Sequence, residues 1–187
     1  MVMVSLELPE IDVERVSFDI FWARSRFASA VRDLDLSGQV KNAFNEMERD
    51  GGFATFITVT WRGHFGGSLA VFKDPWYRSR GRDGVACFGL VTAGNTAMLD
   101  VLVNHARIEA QSNGYKVLRG PVNPPRCLFG YGVQISGFDQ PVIAGSSADP
   151  ADYAVMFDEL DEGGTFDGKD RYYNLIQHLG PSVLQSN

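Results

Sequence analysis

The sequence predicts an α+β domain built on a mixed, mostly antiparallel sheet of six or seven strands flanked by helices. Three observations carry this. Period-2 apolar alternation clusters in residues 53–72. A nearly continuous apolar run, VACFGLV, fills residues 85–91. A long amphipathic stripe follows at once, with Met98, Leu99, Leu102, Val103, Ala106 and Ala110 at helical spacing. Hairpin-connected strands followed by strand-helix-strand units define the class.

Residues 13–20 read as a first strand, because Val16, Phe18 and Ile20 alternate with polar neighbours. Helical spacing takes over in residues 21–33, with Phe27, Ala30 and Val31, and again in residues 38–49, with Val40, Ala43, Phe44 and Met47. Asp50-Gly51-Gly52 ends that second helix, since glycine accepts the left-handed conformation at a helix C-terminus. Residues 53–61 and 65–72 are two strands joined across Arg62-Gly63-His64, and 73–83 is a polar loop. The run at 85–91 is a central strand, because both of its faces are apolar. Thr92 or Asn95 caps the long helix, and Asn113-Gly114 stops it. Residues 115–118 form a short strand, and residues 119–141 are too rich in Gly and Pro to assign. Residues 142–144 can pair as a strand. Asp149-Pro150 opens a helix bearing Tyr153, Met156, Phe157 and Leu160, and a closing strand lies within 165–179. Residues 1–179 read as one domain and 180–187 as a tail.

Composition narrows the function. With 44% hydrophobic residues in 187, the chain can bury a core without disulfides or metal. A net charge of −6 argues against a nucleic-acid backbone binder. No apolar run is long enough to span a membrane, and the N-terminal stretch MVMVSLELPEI lacks a basic n-region, so a cytoplasmic protein is expected. The two cysteines, Cys87 and Cys127, build no disulfide framework, and neither has the surroundings of a nucleophile. His64, His105 and His178 stand at no metal spacing, so no metal is expected. Trp76 and Tyr77 beside Arg78, Arg80 and Arg82 suit a lid or a protein contact, including a homodimer.

Two stretches carry a resemblance. One is the strand, turn and helix of residues 85–113. The other is NGYKVLRGPVNPPRCLFGYGVQISGFDQPVIA, residues 113–144, with Gly120, Pro121 and Asn123 in a GP-x-N segment and Gly137, Phe138, Asp139 and Pro141 further on. Over residues 50–178 the chain resembles the GNAT-like acyltransferase superfamily, in a branch carrying these two segments. The resemblance implies an acyl-CoA-dependent N-acyltransferase with acetyl-CoA or another acyl-CoA as co-substrate. The donor arm would lie between splayed fourth and fifth strands, with its pyrophosphate at the start of the long helix.

Carried onto this chain, the resemblance makes Leu90, Val91, Gly94, Asn95 and Thr96 donor-binding residues, with a backbone N–H near Leu90 or Val91 polarising the thioester carbonyl. Against the family's [Q/R]-x-x-G-x-[G/A] loop the chain reads Val91, Thr92, Ala93, Gly94, Asn95, Thr96, so the loop is degenerate. Tyr153 would protonate the leaving thiolate, and Asn123 and Arg126 would orient the acceptor. Each has a plainer alternative: a helix cap at Gly94–Thr96, a core stripe for Tyr153, and a proline-stiffened loop around Asn123. The competing function is a non-catalytic GNAT-like module that binds another ligand or a protein.

Overall fold

The computed structural model describes residues 11–25, 37–73, 85–123, 133–134, 151–160, 165–166, 172–173 and 175–178. Strand β1 (Ile11–Val16) pairs antiparallel with β2 (Ala54–Trp61), with Ile11 opposite Trp61 and Val16 opposite Phe56. The strand predicted over 13–20 therefore ends four residues early. Ser17 ends it: its extended backbone and side-chain oxygen, which accepts the Ile20 N–H at 3.4 Å, open helix α1 (Phe18–Arg24). Phe18 and Phe21 are buried one turn apart while Ile20 is 45% exposed, which is helical and not strand burial. The helix predicted over 21–33 thus begins at Phe18 and gives way at Ser25 to extended backbone; residues 26–36 lie outside the described residues.

Helix α2 (Ser37–Arg49) buries Val40 and Phe44 and ends at Gly51, whose φ is +85°. β2 and β3 (His64–Phe72) form a hairpin whose turn places both Arg62 and Gly63 at positive φ. β4 (Val85–Ala93) pairs antiparallel with β3. Asn95 then caps helix α3 (Thr96–Ser112) through its side chain, which accepts the Met98 N–H at 3.0 Å. β5 (Val117–Gly120) returns parallel to β4.

These five strands form the body of the sheet. Beyond β5 it is continued by four-residue and two-residue strands, in the order β1-β2-β3-β4-β5-β9-β7. In place of a single closing strand, residues 165–179 hold β7 (Thr165–Phe166), β8 (Tyr172–Tyr173) and β9 (Leu175–His178). β8 pairs with β6 (Val133–Gln134) in a separate ribbon. Helix α4 spans Ala151–Glu159. The strand expected at 142–144 and the arginine loop lie outside the described residues.

The sheet is covered on both faces. One core joins Ile57, Val59, Leu69, Phe88 and Leu118 to the α3 stripe and to Met156 and Phe157 of α4. The other packs Phe18, Phe21 and Phe44 on Phe56 and Phe72, with edge-on rings at 5.0 Å (Phe44–Phe56) and 5.4 Å (Phe18–Phe56). Each such pair adds about 0.5–1.5 kcal/mol to simple area burial. This second core stops at a polar row. Thr58 and Ser68, in register on neighbouring strands, are both fully buried, and Arg24 bonds Glu14 and Thr58 across it.

A long-range tie fixes β1 to α3. Arg15 Nε donates to Glu109 Oε1 at 2.6 Å; the Glu109 side chain is 9% exposed and that of Arg15 70%. Truncating the exposed partner strands a buried carboxylate, so Arg15→Ala should destabilise by about 1–2 kcal/mol, discounted for solvent at the arginine. Adding Glu109→Leu should restore most of that loss in urea titrations. No recovery would show that the arginine stem, and not the charge pair, holds β1.

Candidate active site

The site begins with an irregularity in β4. Ala70 faces Gly89 and Ser68 faces Thr92, so two steps on β3 match three on β4, the signature of a bulge. Leu90 takes up the extra residue in the left-handed region, with φ +51°. Only a residue held by its surroundings keeps that conformation, and two features hold it. The Leu90 side chain is fully buried among the aromatics of the α1–α2 face. Its N–H donates to Asn123 Oδ1 at 2.8 Å.

On its other edge β4 meets β5. Parallel pairing covers only Val85 to Cys87 against Val117 to Arg119. Past that point the chain from β5 runs against the β4 backbone: the Val122 N–H donates to Phe88 O at 2.7 Å. The approach is so close that a Cβ on Gly89 would lie 1.8 Å from Val122 O, and one on Gly120 2.5 Å from Phe88 O. A glycine inside an apolar strand signals such an approach.

The turn between β4 and α3 is held from two sides. The Gly94 N–H donates to Gly66 O of β3 at 2.9 Å. From α4, the Tyr153 hydroxyl accepts the Ala93 N–H at 2.9 Å, and Glu159 Oε2 accepts the Thr96 hydroxyl at 2.7 Å. Helix α4 thereby straddles residues 93–96. Helix geometry supplies no partner to the first amides of α3, those of Thr96 and Ala97, which point toward this turn.

The structure thus brings Leu90, Val91 and Asn123 together at the bulge, and Tyr153, Gly94, Asn95 and Thr96 at the turn. Arg126 lies outside the described residues. The Leu90 N–H, one of the two expected to polarise a carbonyl, is engaged by Asn123 Oδ1 at 2.8 Å. Val91 is 8% exposed, with its side chain packed in the α3–α4 core. Asn123 is 3% exposed and holds the bulge.

Sequence reasoning missed Gly89, Ala93, Val122 and Glu159. Gly89 was legible as a lone glycine in VACFGLV. Glu159 had no local signal, being 63 residues from Thr96. Cys87 is buried in β4. Among the described residues no group of three or more His, Cys, Asp or Glu side chains is disposed to hold a metal, and no helix is long and apolar enough to cross a membrane.

The body of the sheet, mostly antiparallel with a bulged fourth strand and one parallel step to the fifth through a long helix, is a fold shared with solved structures of the GNAT family. No family model and no curated protein matches the sequence. Solved structures do match. YncA from Salmonella typhimurium, solved with its cofactor acetyl-CoA, is 11% identical over 94% of this chain and 98% of its own, with a TM-score of 0.53. A protein of the GNAT family from Desulfovibrio desulfuricans is 8% identical over 91% and 100%, also at 0.53. A ribosomal-protein-alanine N-acetyltransferase from Brucella melitensis is 12% identical over 90% and 99%, at 0.52. At these identities the likeness establishes the fold.

Proposed function

We propose that the protein is an acyl-CoA-dependent N-acyltransferase whose donor lies along the bulged edge of β4. One observation carries the reading: the Tyr153 hydroxyl sits on the Ala93 N–H at 2.9 Å, between the bulge and the start of α3. An N–H aimed at the phenol oxygen stabilises the negative charge that appears there when the proton leaves. That is what a general acid facing a departing thiolate requires.

The chemistry is direct transfer. A neutral amine attacks the thioester carbonyl, whose oxygen the Val91 N–H polarises. As the carbon–sulfur bond breaks, Tyr153 gives its proton to sulfur. β4 carries no Asp or Glu, so the proton of the attacking nitrogen passes to water bonded to a backbone carbonyl. The first turn of α3 suits the diphosphate of the donor, because its amides and the helix dipole both favour an anion.

Acetyl-CoA at about 100 times its Kd should stabilise the protein by about 2.7 kcal/mol in a thermal melt. Gly94→Ala sharpens the test. A Cβ there meets only Gly66 O, at 3.4 Å, and Gly94 has no positive φ, so the variant should melt like the wild type. With phosphate at the turn, its CoA affinity should fall roughly tenfold, as one charge-assisted hydrogen bond is lost. Equal affinity would move the diphosphate elsewhere.

One observation favours a second reading, a non-catalytic GNAT-like binding module: Asn123 and Tyr153 already occupy two β4 amides. No thermal shift with acetyl-CoA or longer acyl-CoAs would select it.

A further inference from the structure

A polar row crosses four strands on the α1 face of the sheet: Glu14 stands opposite Thr58, Thr58 opposite Ser68, and Ser68 opposite Thr92. Arg24, the last residue of α1, and Ser25 after it cover this row. Arg24 Nη1 donates to Glu14 Oε2 at 3.1 Å and to Thr58 Oγ1 at 3.2 Å, and Ser25 Oγ shares a hydrogen bond with Thr92 Oγ1 at 3.2 Å. Ser68 lies between them, on the same strand face as Ala70 and Phe72 of the second core. It is fully buried, and among the described residues its Oγ has no hydrogen-bond partner. A buried hydroxyl left unpaired costs free energy that an alanine would not. That cost falls one strand, about 5 Å, from β4, where Thr92 directly follows Val91.

We propose that Ser68 is a specificity-determining residue for the acceptor: its buried hydroxyl pairs with a neutral hydroxyl carried close to the reacting amine, so the acceptor is an amino alcohol. The proposal rests on the acyltransferase reading above and names a substrate class for it. Ser68 Oγ can both donate and accept, and Thr58 Oγ1, which accepts from Arg24, keeps its own proton to give. A group that itself donates and accepts, a hydroxyl, answers both. The charge of Arg24 is set against Glu14 at the outer end of the row, so the middle of the row is neutral and a carboxylate there would lose its water without a cation in exchange. Access comes when the end of α1 lifts from Thr58 and Thr92, to each of which it is tied by a side-chain contact of 3.2 Å.

The experiment sets wild type beside Ser68→Ala, with acetyl-CoA as donor and ethanolamine and propylamine as acceptors. The two amines differ by a hydroxyl against a methyl, and comparing the same pair on both proteins cancels the difference in their basicity. Ser68→Ala should melt about 2–4 °C above wild type, because the unpaired hydroxyl is gone. The ratio of kcat/KM, wild type over variant, should be roughly tenfold for ethanolamine, the scale of one substrate hydrogen bond, and near one for propylamine. The loss should fall on KM for ethanolamine, and acetyl-CoA affinity should be the same for both proteins. A stabilised variant with a selective loss is a combination that a merely structural serine does not give.

A variant melting at or below wild type would overturn the proposal, since the hydroxyl would then have a partner within the fold. So would a ratio for ethanolamine no larger than that for propylamine. If acetyl-CoA stabilises the protein and neither amine is acylated, the proposal fails while the donor site stands. If acetyl-CoA does not bind, the acyltransferase reading falls and the proposal with it.

Discussion

Gly89→Ala is expected to lower the melting temperature by roughly 10 °C. A Cβ at that position would lie 1.8 Å from Val122 O and 2.6 Å from Val122 C, both backbone atoms. Relief requires β4 and the chain after β5 to move apart, and that movement breaks two bonds at once: Val122 N–H to Phe88 O, and Leu90 N–H to Asn123 Oδ1. Leu90 and Asn123 are buried, so each separated group loses a partner that water does not replace. Overpacking by a single methyl commonly costs 1–3 kcal/mol, and a backbone obstacle puts this one at the top of that range, about 3 kcal/mol. For a chain of this size each kcal/mol moves the midpoint by about 2–4 °C. Circular dichroism melts of Gly89→Ala beside Gly94→Ala make the comparison, since the same methyl at Gly94 meets nothing closer than 3.4 Å. Equal melting of the two would mean that β4 and residue 122 are not in backbone contact.

Tyr153→Phe should slow acyl transfer by about a hundredfold or more while leaving acetyl-CoA affinity nearly unchanged. Loss of a positioned general acid costs 10²–10⁴ in rate, and a hundredfold corresponds to about 2.7 kcal/mol of barrier. The phenyl ring keeps its place against the α3–α4 core, so the helix stays packed. The Ala93 N–H loses its acceptor, which costs about 1 kcal/mol in stability. Thiol release from acetyl-CoA, followed with a panel of primary amines, reads the rate, and calorimetry reads the affinity. A rate within threefold of wild type would reduce Tyr153 to a cap on the β4 edge.

Most of the fold was legible because local pattern and tertiary burial agree along α3 and β2 to β4. The stripe from Met98 to Ala110 is the buried face of α3. Residues 16–20 were not legible by alternation, because Val16, Phe18 and Ile20 satisfy a strand pattern while Phe18 and Phe21 satisfy a helical one. Ser17 decides between them as a cap, and Ser at a strand end was the overlooked signal. At the site, Tyr153, Asn123 and Leu90 were picked from the sequence, yet their mutual bonds were not. Asn123 reads equally as a ligand contact or a backbone partner until the bulge places Leu90 N–H against it. The contact between Glu159 and Thr96 depends on how α4 docks, which no spacing encodes.

The parallel step between β4 and β5 has a bearing on how the sheet holds together. It joins two blocks, β1 to β4 on one side and β5 with β9 and β7 on the other, through a ladder of three residue pairs and the two bonds beyond it at Phe88 O and Leu90 N–H, whereas β2 and β3 share eight pairs. Cooperative openings follow the thinner seams, so the ladder between these blocks is expected to open at less free energy than the one between β2 and β3. On the proposed function, a thioester donor laid along β4 past Asn123 would add bonds to that seam. Occupancy and cohesion would then be one equilibrium: the protein would be most nearly a single rigid body while a donor is held, and would loosen toward two when it leaves.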